Sequence, residues 1–105
     1  MKKDIQILLV EDDQNLSFVV KDFLEMNGYE VDIAEDGKLG LTFFENKAYD
    51  LFILDVMLPK MDGFKLAEKI RKKDPRTPMI FLTAKSLQED KNRAFQTGAD
   101  DYITK

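Results

Sequence analysis

Leu51-Phe52-Ile53-Leu54-Asp55 is four consecutive apolar residues closed by an acid, and Val56-Met57-Leu58-Pro59 follows. An apolar run of that length between Asp50 and Asp55 predicts a strand buried on both faces, with Asp55 emerging at its carboxyl end. Open α/β sheets place their chemistry at such strand ends. The question for the rest of the chain is what it delivers to Asp55.

Two further runs have the same character. Ile5 and Ile7-Leu8-Leu9-Val10 end at the acids Glu11-Asp12-Asp13, and Met79-Ile80-Phe81-Leu82 ends at Thr83-Ala84-Lys85. Two weaker strands complete the set. Tyr29, Val31 and Ile33 alternate with Glu30, Asp32 and Glu35, the pattern of a half-exposed strand, and Tyr102-Ile103 is short. Continuous runs belong in the middle of a sheet, and alternating or short ones at its edges.

Helical segments lie between the strands. Leu16, Val19, Val20, Phe23 and Leu24 are spaced as one amphipathic face, with Asp13 or Asn15 as cap and Gly28 where a left-handed C-terminal cap is wanted. Asp36-Gly37 precedes a second helix through Phe43-Phe44. The loop Pro59-Lys60-Met61-Asp62-Gly63 feeds a third helix carrying Phe64, Ala67 and Ile70, which Asp74-Pro75-Arg76-Thr77-Pro78 breaks. Ser86-Leu87-Gln88-Glu89 has the form of a capping box, starting a fourth helix whose apolar face is thin: Leu87, Ala94 and Phe95. Strands alternating with helices imply right-handed crossovers and a doubly wound, flavodoxin-like α/β fold. Its five parallel strands take the order 2-1-3-4-5.

Composition narrows the chemistry. The 105 residues suffice for one domain, with no histidine and no cysteine. Triads built on histidine, imidazole ligands, thiolate ligands and disulfides are therefore excluded. A metal site must use oxygen ligands, which favours magnesium or calcium. The formal charge of −4 argues against nucleic-acid binding by this domain alone. No stretch approaches the roughly 18 apolar residues of a membrane span, and Met1-Lys2-Lys3-Asp4 leads into a strand rather than a signal-peptide core, so a cytoplasmic protein is expected.

In a parallel sheet, Glu11, Asp12 and Asp13 share an edge with Asp55, and Thr83 and Lys105 reach it too. Two carboxylates about 4 Å apart repel by about 4 kcal/mol at an effective dielectric near 20. A divalent cation relieves this, and an all-oxygen site that keeps positions for water and phosphate suits magnesium. Beside such an ion, aspartate can serve as nucleophile towards a phosphoryl donor, with the Thr83 hydroxyl and the Lys105 ammonium around the transferred oxygens. Each residue also has a plainer reading. Asp13 and Asp36 read first as helix caps, Thr83 as a turn residue, and the apolar residues at helical spacing as core. It is their convergence from four strand ends that favours the chemical reading.

Four motifs then carry a resemblance: Leu8-Leu9-Val10-Glu11-Asp12-Asp13, Leu54-Asp55-Val56-Met57-Leu58-Pro59-Lys60-Met61-Asp62-Gly63, Leu82-Thr83-Ala84, and Gly98-Ala99-Asp100-Asp101-Tyr102-Ile103-Thr104-Lys105. In this order and spacing the chain resembles the receiver domain of bacterial two-component response regulators over essentially its whole length. The resemblance implies that Asp55 accepts a phosphoryl group from the phosphohistidine of a sensor histidine kinase. It implies a Mg2+ held by Asp12, by Glu11 through water, by Asp55 and by the Met57 carbonyl. Thr83 and Lys105 match the phosphate-contacting hydroxyl and lysine, and Tyr102 the aromatic that turns inward when the hydroxyl engages phosphate. The wording is most similar to receivers of winged-helix transcriptional regulators. DNA would then be reached only through an effector domain absent from this chain, with homodimerisation on phosphorylation as a further option.

Receivers continue past the lysine with a proline and a fifth helix, whereas this chain stops at Lys105, so residues 1–105 are expected to be a C-terminally truncated receiver. The thin face of the fourth helix marks it, with the last strand, as the surface that phosphorylation shifts. Three rival readings stay open: a magnesium-dependent phosphatase of the haloacid dehalogenase type, a flavin module and a phosphate-independent docking module. The phosphatase wants an acid where Met57 stands, and three acids after the first strand repel the flavin phosphate.

Overall fold

The computed structural model describes residues 4–84 and 88–105. The elements alternate as expected: β1 (Ile5–Val10), α1 (Gln14–Met26), β2 (Tyr29–Ala34), α2 (Gly37–Asn46), β3 (Leu51–Leu54), α3 (Gly63–Lys73), β4 (Met79–Thr83), α4 (Gln88–Gln96) and β5 (Asp101–Thr104). All pairings are parallel and the order is β2-β1-β3-β4-β5, so the three continuous apolar runs are central.

The register decides what meets at the carboxyl edge. Val10 lies opposite Leu54, which brings β1 and β3 to an end side by side. The ladder runs one step further on both strands: the Asp55 N–H donates to the Val10 carbonyl at 3.0 Å, and that of Glu11 to Ala34 at 3.0 Å. Leu54 faces Phe81, and Thr83 faces Thr104, so β4 and β5 finish at the same edge.

Within the continuous runs, period-two alternation sorts the side chains. Leu8, Val10, Phe52, Leu54, Met79 and Phe81 point to the face covered by α2, α3 and α4, where they pack on Phe64, Leu66, Ala67, Ile70 and Ala94. Each such side chain contributes about 1.5–3 kcal/mol by burial. Ile7, Leu9, Val31 and Ile53 point to the other face, against Val20 and Leu24 of α1.

Asp13 and Asp36 cap their helices as expected, and Asp62, read from the sequence only as part of a loop, caps α3. Asp13 accepts from the Asn15 and Leu16 amides, Asp36 from Leu39, and Asp62 from Lys65. Gly28 takes the left-handed conformation (φ 92°) after α1. Ser86 and Leu87, and with them the proposed capping box, lie outside the described residues.

The apolar stripe on α1 needs correcting. Val20 and Leu24 lean on the sheet and Leu16 is half-buried, but Val19 is 66% and Phe23 65% exposed. Among the described residues no element packs against that flank, and spacing alone cannot tell a covered flank from an open one. Phe95 on α4 is likewise half exposed rather than core, which leaves Ala94 as the buried contact of that helix.

Candidate functional site

The site is built where β1 and β3 end. Glu11 and Asp55 are both buried, at 2% and 5% exposure, while Asp12 is exposed. One carboxylate oxygen from each of Glu11, Asp12 and Asp55 lies within 4.8 Å of the other two. Lys105 enters from the opposite end of the chain. Its Nζ pairs with Glu11 Oε1 at 2.6 Å and donates to Asp55 Oδ2 at 2.9 Å. Its backbone N–H donates to the Thr83 carbonyl at 2.7 Å, which carries the β4–β5 ladder to the last residue.

Local hydrogen bonds fix the carboxylates. Glu11 Oε2 accepts from the Asp13 N–H at 3.1 Å, and Asp55 Oδ1 from the Met57 N–H at 3.3 Å. Burial, reinforced by the charge of Asp55, raises the Glu11 carboxyl above the usual range despite the bonds from Lys105 and the Asp13 amide. For Lys105, burial favours the neutral amine. The bonds to Glu11 and Asp55 and their charges outweigh it and raise its pKa. Lys105 pairs with two of the three clustered acids, and the negative excess falls on an all-oxygen donor set. Glu11, Asp12 and Asp55 thus fit a small hard cation such as Mg2+.

Gly63 shapes the site from below. Its N–H donates to the Val56 carbonyl at 2.8 Å, and a Cβ there would lie 1.9 Å from the Asp55 carbonyl oxygen. Only a residue without a side chain lets α3 start this close to the strand end. The motif ending in Asp62-Gly63 contained this signal, but the sequence showed it only as a helix start.

Thr83, the last residue of β4, is fully buried at the same sheet edge. The Tyr102 ring already faces inward, 8% exposed, with its centroid 6.3 Å from Phe81. Burial raises the pKa of its hydroxyl, and the charges of Asp90 and Asp55 add to the effect. Phe81 in turn meets Phe64 at 5.2 Å, and the Arg93 guanidinium of α4 sits 4.5 Å over the Phe64 ring. A groove of about 400 Å³ beside the acids, lined by Asp12, Met57, Asp62, Phe64, Asp90 and Arg93, separates the loop after β3 from α4.

The family model for the response regulator receiver domain matches residues 7–105. The transcriptional regulatory protein RprY of Bacteroides fragilis is 47% identical over 105 residues, all of this chain and 44% of that protein. The response regulator ArlR of Staphylococcus epidermidis is 48% identical over 99 residues, 94% of this chain and 45% of that protein. The chain therefore spans less than half the length of these relatives. Among solved structures, a CheY-like receiver domain protein from Methanospirillum hungatei superposes with a TM-score of 0.94 at 37% identity, covering 98% of this chain and 82% of that one. The response regulator TrrA of Thermotoga maritima, solved in complex with Mg(2+)-BeF, gives 0.88 at 38% identity, covering 96% and 86%.

A doubly wound sheet with this acidic edge, matched along nearly its whole length, defines a receiver-type signalling domain. The chain belongs to the response regulator receiver domain family.

Proposed function

We propose that this domain accepts a phosphoryl group on Asp55 from the phosphohistidine of a sensor histidine kinase in the cytoplasm, with Mg2+ as cofactor. The carrying observation is the convergence of Glu11, Asp12 and Asp55 within 4.8 Å, with the Lys105 ammonium on two of them. A carboxylate oxygen of Asp55 attacks phosphorus and the donor's N–P bond breaks. The leaving imidazole keeps the bonding pair and takes a proton, and an acyl phosphate remains on Asp55.

The chain's own groups have separate tasks in this reading. Asp12 and Asp55 hold the metal directly, with the Met57 carbonyl, and Glu11 holds it through water. When bound, Mg2+ supplies charge neutralisation on the transferred oxygens. Lys105 exchanges a carboxylate partner for a phosphoryl oxygen, and the Thr83 hydroxyl contacts another. Tyr102 follows Thr83 and keeps its ring inward on Phe81. Slow hydrolysis of the acyl phosphate resets the switch.

The output follows from α4 and from β5, the strand that carries Tyr102 and pairs with the Thr83 end of β4. By analogy with the relatives named as transcriptional regulators, the phosphorylated surface acts on an effector domain that reaches DNA, with homodimerisation as one route. No helix among the described residues is long and apolar enough to cross a membrane.

Incubation with acetyl phosphate and Mg2+, followed by intact mass measurement, tests the proposal. A single phosphoryl adduct is expected, lost in EDTA and in Asp55→Asn. Folded wild type that takes no adduct would support the phosphate-independent docking module instead.

A further inference from the structure

The loop after β3, which carries Met57, does not hold its shape alone. Lys60 sits in the left-handed region (φ 66°), which costs a residue with a Cβ about 1–2 kcal/mol, and such a conformation persists only where its surroundings impose it. The Met61 N–H folds back on the Pro59 carbonyl at 2.7 Å, making a tight turn. This turn rests on the N-terminus of α2, a different crossover from the one it belongs to.

Three contacts make that seat. The Gly37 N–H, at the first turn of α2 and without a partner inside the helix, donates to the Pro59 carbonyl at 3.3 Å. A Cβ on Gly37 would lie 2.0 Å from the Met61 carbonyl oxygen and 2.7 Å from the Met61 Cβ, so the loop backbone occupies the space a side chain would need. Asp36 caps α2 through Leu39 and faces the Lys60 ammonium at 3.6 Å. With the Lys60 side chain in solvent and the separation long, the pair adds little energy, but it aligns the turn.

We propose that Gly37 is a positioning residue for the cation site: the N-terminus of α2 seats the Pro59–Met61 turn and thereby sets where Met57 stands beside Asp55. Gly37 touches none of the acids and acts through the loop. The inference rests on the magnesium reading above, and extends the site to an element that contributes no ligand. Partners outside the ligand set typically change metal affinity by about 10–100-fold when altered.

The test is a Mg2+ titration of the whole chain followed by amide NMR, for wild type, Gly37→Ala and Gly40→Ala. Gly40 lies on the same helix, but the nearest atoms to a Cβ there are the side-chain ends of Val10 (2.9 Å) and Leu66 (3.2 Å) rather than the loop backbone. Gly37→Ala should weaken Mg2+ binding about tenfold, with Met57–Gly63 amides shifted even without Mg2+, while Gly40→Ala stays near wild type. In the wild type the Gly37 amide should move with the same midpoint as that of Met57, and this readout stands even if Gly37→Ala fails to fold. Unchanged affinity in Gly37→Ala, equal weakening in both variants, or a Gly37 amide unmoved while Met57 shifts would overturn the proposal. Wild type that binds no Mg2+ would instead overturn the magnesium reading on which it depends.

Discussion

Lys105 is one ammonium serving two buried carboxylates, Glu11 at 2.6 Å and Asp55 at 2.9 Å. Removing one partner of such a group leaves charge buried without compensation, at a cost of about 3–5 kcal/mol. Lys105→Met should therefore lower stability by about 3 kcal/mol in EDTA. Added Mg2+ should recover more of that loss than it adds to wild type, because the cation takes over the role of the missing ammonium. Urea unfolding with and without Mg2+ measures both numbers. Equal Mg2+ effects in the two proteins would mean that lysine and metal answer different charges. The sequence already brought the Lys105 ammonium to the acidic edge as a phosphate contact, but its double pairing with Glu11 and Asp55 became visible only once β5 was in register with β4.

At the scale of elements, α4 is the least committed part of the helical layer. Among the described residues, Ala94 is its buried apolar contact, Phe95 is half exposed, and Arg93 lies over the Phe64 ring. Its C-terminal end is held better. Arg71 of α3 donates from Nε and from a terminal nitrogen to the Gly98 carbonyl at 3.0 and 2.8 Å, and from its other terminal nitrogen to Thr77 at 2.6 Å. An element pinned at one end and thinly packed along its length is suited to move in a switch. Beryllofluoride with Mg2+ should change amide exchange most between residue 88 and Tyr102 and least in α1 and β2. Uniform protection across the sheet, or none near α4, would count against a switch located there. The weak apolar face of α4 was legible in the sequence as a shortage of apolar residues; the Arg71 anchor was not, because its shortest bonds go to backbone carbonyls, with the Asp100 carboxylate at 3.4 Å.

For the whole molecule, the two sheet faces are unequal. Among the described residues, three helices cover the face of Leu8, Phe52 and Phe81, whereas α1 alone covers the face of Ile7, Leu9 and Ile53. Phenylalanines of the same chain should therefore respond differently to truncation. Phe52→Ala should cost about 4 kcal/mol, as expected for emptying a fully buried site. Phe23→Ala, on the open flank of α1, should cost within about 0.5 kcal/mol. Chemical denaturation of both variants checks the contrast. Strand order was legible because continuous and alternating apolar runs differ in how many faces they bury. The exposed side of α1 was not legible, since Val19 and Phe23 keep helical spacing whether or not anything covers them. Gly37 and Gly63 likewise reveal their purpose only through the atoms that close on them, Met61 and Asp55. The central claim is that these parts converge to make Asp55 the phosphoryl acceptor. Reduction with borohydride after incubation with acetyl phosphate and Mg2+, followed by peptide mass mapping, tests it most directly. The account predicts conversion to homoserine at Asp55 alone and none in EDTA, whereas conversion at Asp12 or another acid, or at Asp55 without Mg2+, would contradict it.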